Sequence, residues 1–128
     1  MALTNKYFRY PDCSDIVQAF LYNTICMEGK DIWECLDNYA QRKGSGIPEN
    51  KGCYFSCELA HNDSDRLDNN MLVYYGDESE VKRIHISEAE FYIELEKAFN
   101  RASFLFNENE WHRIQIKLAH LKTILVTN

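Results

Sequence analysis

Between about Ser14 and Glu28, Ile16, Ala19, Phe20, Asn23 and Met27 recur at helical spacing, and Val17, Leu21 and Thr24 widen the apolar face. Gly29 supplies a left-handed stop. A second helix is predicted from Asp31, with Glu34 three residues later as in a capping box and a stripe of Ile32, Cys35, Leu36, Tyr39 and Ala40. The run Gly44-Ser45-Gly46 ends it. The period then changes. Gly52–Cys57, Met71–Tyr75 and Val81–Ile86 are short aromatic or β-branched runs bounded by polar turns, and they predict an antiparallel meander. Ser87 with Glu90, and Asn107 with Glu110, open two further helices. Their inward stripes are Phe91, Leu95, Ala98, Phe99 and Ala102, then Trp111, Ile114, Leu118 and Leu121. The order αα–βββ–αα predicts an α+β fold in one domain over residues 1–128: two N-terminal helices, a three-stranded antiparallel sheet and two C-terminal helices.

Composition agrees with a folded chain. Of 128 residues, 45% are apolar and 27% charged, and no apolar run approaches the roughly 20 residues a bilayer span needs. No membrane partner is therefore expected. Twenty acids against fourteen bases leave a net charge of −6, which repels phosphate backbones and argues against nucleic acid as a partner. The first ten residues lack the apolar core of a secretory signal, and five cysteines (Cys13, Cys26, Cys35, Cys53, Cys57) form no Cys-x-x-Cys pair. Reduced thiols in a cytoplasmic protein are the expectation.

Candidate chemistry is sparse. Cys53, Cys57 and His61 are the most metal-like group, but a structural zinc usually takes four ligands, and on one strand the two thiols would stand about 13 Å apart. Two core-facing thiols, no metal and no cofactor are expected. His61, His85, His112 and His120 could act as bases, yet no glycine-framed nucleophile accompanies them. His112 and His120 suit a solvated or partner-facing side of the last helix. The carboxylates at 88–96 are accounted for by capping and by an exposed helix side. No catalytic residue, phosphate cradle or small-molecule substrate is expected.

The distribution of charge is more informative. Glu58, Asp63, Asp65, Asp68, Asp77, Glu78 and Glu80, with Arg66 as the one base, put −6 on 23 residues, while Trp111–Asn128 holds three bases and no acid. With Tyr74 and Tyr75 between them, Asp63, Asp65, Asp68, Asp77, Glu78 and Glu80 are the candidate contacts for a basic protein. The same turns could instead keep sheet edges soluble.

Gly52-Cys53-Tyr54-Phe55-Ser56, then a strand with Ile84 and Ile86 leading through Ser87 into a helix with Glu90, Phe91 and Tyr92, resembles immunity proteins of contact-dependent growth inhibition (CDI) systems. The group paired with ribonuclease toxins is the most similar, over roughly residues 51–102. The resemblance implies a cytoplasmic, non-catalytic antitoxin that binds a cognate basic toxin domain one-to-one and blocks its active site. The motif residues are apolar or capping and transfer no toxin contact. The alternative reading is a non-catalytic adaptor or regulatory binding module, of a kind that can dimerise.

Overall fold

The computed structural model describes residues 4–9, 14–26, 31–44, 46–47, 51–60, 62–63, 70–76 and 80–126. In chain order the elements are β1 (Thr4–Arg9), α1 (Ser14–Cys26), α2 (Ile32–Ala40), β2 (Gly46–Ile47) and β3 (Lys51–Phe55). A 3-10 turn (Ser56–Glu58) precedes β4 (Asn70–Gly76), β5 (Glu80–Ser87) and α3 (Glu88–Arg101), and a second 3-10 turn (Ser103–Leu105) precedes α4 (Glu108–Leu125). The α+β order of helices, sheet and helices holds, with β3, β4 and β5 as the antiparallel meander. Two strands extend it. The sheet order is β1-β5-β4-β3-β2, with β1 parallel to β5 and short β2 antiparallel to β3.

Alternation along the strands divides the sheet into two faces. Register places Cys53, Val73 and Ile84 in one row and Phe55, Met71 and Ile86 in the next. These six are buried and form the floor of the core, onto which Val17, Phe20, Leu21 and Ile25 of α1, Cys35, Leu36 and Tyr39 of α2 and the inner faces of α3 and α4 pack. Tyr39, Phe55 and Phe91 lock α2, β3 and α3 together, with ring centroids 6.2, 5.4 and 6.4 Å apart in edge or tilted geometry. Leu72, Tyr74 and Val81 are also buried but stand outside this core, because they belong to the opposite face.

The capping boxes form as expected. Ser87 Oγ accepts from Glu90 N at 3.1 Å and Glu90 Oε1 accepts from Ser87 N at 3.1 Å; Asn107 and Glu110 repeat the exchange at 2.8 and 3.0 Å. Asp31 Oδ1 accepts from Trp33 N and Glu34 N, so α2 is capped by its side chain. Three expectations fail. The inward face of α1 is Val17, Phe20, Leu21 and Ile25, about one residue out of phase with the predicted stripe, and Ala19 is exposed. Apolar residues cover most of that helix, so periodicity alone could not set its rotation. Next, α2 stops at Ala40, before the glycine run. Arg42 takes the left-handed position at φ 55°, where Arg42 N donates to Tyr39 O and Lys43 N to Asn38 O. Third, strand β3 ends at Phe55, so Cys53 is buried while Cys57, in the following 3-10 turn, is exposed and not core-facing.

Glycine is required at two turns. A Cβ on Gly44 would stand 1.8 Å from Cys53 O, and one on Gly76 would stand 2.0 Å from Glu80 O.

Candidate functional site

Of the acidic residues singled out above, the described ones, Glu58, Asp63 and Glu80, lie on the two sides of β4 along the chain. Glu58 and Asp63 precede its first residue, Asn70, while Glu80 follows its last, Gly76. Six steps of strand separate these ends by about 20 Å. Asp63 is half-buried, with its N–H donated to Ala60 O at 2.9 Å, and Glu80 opens β5 half-buried. Asp65, Asp68, Asp77 and Glu78 lie outside the described residues, as does His61. Among the described residues, no group of three His, Cys, Asp or Glu side chains could hold a metal ion.

Glu58 has a structural task. Its Oε1 accepts from Gly44 N at 2.8 Å and from Phe55 N at 2.9 Å, tying the segment after α2 to the end of β3. Cys57 adds a weak Sγ donation to Arg42 O at 3.6 Å. The Arg42 guanidinium meets Glu88 in a fork, Nε to Oε2 and Nη2 to Oε1, both at 3.1 Å, and Nη2 also donates to Ile124 O at 3.1 Å. One side chain thus joins the end of α2 to the start of α3 and the end of α4. The hydrogen bond to Glu88, reinforced by its charge, raises the Arg42 pKa further. Glu94, expected on the exposed side of α3, is 1% exposed and hydrogen-bonded to Gln18 of α1.

The two tyrosines of β4 part company. Tyr75 faces the helices and packs against the core, with Lys51 Nζ 5.3 Å above its ring. Tyr74 lies on the opposite face, 8% exposed, and stacks on Tyr54 with centroids 5.6 Å apart and planes 17° from parallel. Burial, then a hydrogen bond with Tyr54, raises the Tyr74 phenol above its ordinary range, against a lowering influence from Arg83. Tyr54 is 38% exposed. Register sets Tyr54 beside Leu72, with His85 beyond Leu72 in the same row, and Tyr74 between Gly52 and Arg83. The buried helix residues all join the core on the other side. This face therefore has an aromatic and aliphatic centre, half-buried Arg83 and His85 beside it, and acidic segments beyond both ends of its middle strand.

Tyr54 was visible in the sequence only as part of a scaffold motif. Its signal as a surface residue is the period of two: with Cys53 and Phe55 buried, Tyr54 must point the other way. Covalent catalysis would need a nucleophile held by a base that a third group orients, and the described residues of this face bring no such set together.

No helix of the described residues is long and apolar enough to cross a membrane. Comparison with curated proteins and with solved structures returned no match. A family model described as CDI immunity protein matches residues 7–109, a span holding the whole sheet from within β1 onward, three of the four helices and the start of α4. The chain belongs to the CDI immunity protein family.

Proposed function

We propose that this immunity protein binds a ribonuclease toxin domain one-to-one in the cytoplasm and neutralises it without catalysis, by covering its RNA-binding cleft with the sheet face that carries Tyr54. The observation that carries this reading is the Tyr54–Tyr74 stack on the face opposite the helices, with acidic segments beyond both ends of β4. The choice of a ribonuclease rests on the resemblance at Gly52–Ser56 and Ile84–Tyr92 and on charge. An enzyme that handles a polyanion carries a cationic cleft, which an acidic inhibitor complements and approaches quickly by electrostatic steering. A standard interface takes about 800 Å² from each partner, enough to reach from one end of β4 to the other. Its anatomy would be the usual one, an aromatic centre inside a polar rim.

The test is RNA cleavage by the purified toxin domain titrated with this protein. Cleavage is expected to stop at one equivalent. Tyr54→Ala is expected to weaken inhibition at least tenfold while costing only the stack on Tyr74 in stability, about 1 kcal/mol, because Tyr54 stands outside the main core. Full inhibition by Tyr54→Ala would move the docking surface elsewhere.

A further inference from the structure

On the helix side of the sheet, a cleft of about 840 Å³ opens between α1, the end of α3 and the start of β3. Gln18, Tyr22 and Asn23 of α1, Lys51 of β3 and Arg101 of α3 line it, and among the described residues its one acid is Asp15. Its cations are held in place. Gln18 Nε2 donates to Glu94 O at 2.7 Å and to Glu94 Oε1 at 3.2 Å, which fixes the amide so that its oxygen accepts from Arg101 Nη1 at 2.9 Å. Glu94, almost fully buried, also takes Lys97 Nζ at 3.4 Å. The Arg101 guanidinium lies 4.6 Å above the Tyr22 ring, as Lys51 lies above Tyr75. Among the described residues neither cation meets a carboxylate, although the chain has six more acids than bases.

We propose that this cleft receives an acidic side chain, Asp or Glu, from a loop of the bound toxin domain; the proposal rests on the reading that such a toxin is bound. Arg101 uses one terminal nitrogen on Gln18, and its remaining donors suit the two oxygens of a carboxylate. Lys51, also on the lining, supplies the second charge. The cleft is open along the surface and large enough for several side chains, which fits a protruding loop. Lys51 pairs with Tyr75, next to Gly76, so the cleft sits at one end of β4. A partner seated on the Tyr54 face reaches it by passing around that end. The site would serve specificity: acidic turns attract any basic ribonuclease, whereas a cationic cleft rejects one that offers no acid there.

The experiment measures binding kinetics of the toxin domain to the parent protein, to Lys51→Glu, and to the Lys51→Gln/Arg101→Gln pair. Lys51→Glu leaves the Gln18–Glu94–Arg101 bonds intact, so it keeps the test valid if the double variant folds poorly. Both are expected to dissociate at least about tenfold faster, with association changed far less, as for the loss of a sheltered charge pair. An Asp or Glu to Lys substitution in one toxin loop should restore slow dissociation to Lys51→Glu. Dissociation of both variants at the parent rate overturns the cleft proposal and leaves the toxin-binding reading standing. Absence of binding by the parent protein overturns that reading, and the cleft's occupant with it.

Discussion

Replacing Glu58 separates a structural carboxylate from a toxin-facing one. By sequence it belongs to the acidic run, but its Oε1 accepts two backbone hydrogen bonds, from Gly44 and Phe55. Gly44 sits against Cys53 O so closely that no side chain fits, and Glu58 holds that approach. Hydrogen bonds to an ionised group contribute about 1.5–3 kcal/mol each when sheltered. Glu58 is exposed, so water replaces much of what is lost, and Glu58→Ala is expected to cost about 2 kcal/mol in all. For a chain of this length that is a fall of roughly 8 °C in Tm. In urea, with a slope near 2 kcal/mol per molar, the midpoint should drop by about 1 M at unchanged slope. Glu58→Gln keeps an oxygen acceptor and should lose less than about 1 kcal/mol. Equilibrium urea unfolding of the three proteins is the assay. An Ala variant as stable as the parent, or a Gln variant as unstable as Ala, refutes the reasoning.

Three further outcomes are expected. Arg42→Gly should be more stable than Arg42→Ala by about 1 kcal/mol in the same assay, because both lose the Glu88 fork but only glycine accepts φ 55° without strain. Tyr92, whose phenol burial and a hydrogen bond to Glu96 push up to about 12, should ionise later than ordinary tyrosines in an ultraviolet titration. Because the folded pKa is raised, the stability it contributes is complete below about pH 10 and is lost as pH rises towards 12; Tyr92→Phe should make the alkaline decline shallower, leaving the share from Tyr74. The acidic segments at the two ends of β4 should act separately. Asp63→Lys/Asp65→Lys and Asp77→Lys/Glu78→Lys should each slow toxin association in stopped flow, more at low salt than at high, and parent-like rates for both would make the turns merely solubilising.

The elements legible in the sequence are those fixed by neighbours along the chain. Ser87 with Glu90 and Asn107 with Glu110 set the starts of α3 and α4, and the stripe from Phe91 to Ala102 is buried as spaced, with Tyr92 added to it and Glu94 joining through a partner on α1. What escaped depends on distant partners. The Thr4–Arg9 strand exists by pairing in parallel with Glu80–His85, a contact no local pattern announces. Arg42 replaces glycine at a left-handed turn because Glu88 and Ile124 hold its side chain from far along the sequence. For the site, alternation could have placed Tyr54 and Tyr74 together on one face. That Glu58 and Asp63 precede β4 while Glu80 follows it needed the strand's own extent, Asn70–Gly76.

The most direct measurement is isothermal titration of the purified chain with its cognate toxin domain, followed by RNA cleavage on the same mixture. The account predicts one-to-one binding with a Kd in the nanomolar range or below, weaker in high salt, and no cleavage at equivalence. No heat at micromolar concentrations, or a tight complex that still cleaves RNA at the free toxin's rate, would contradict it.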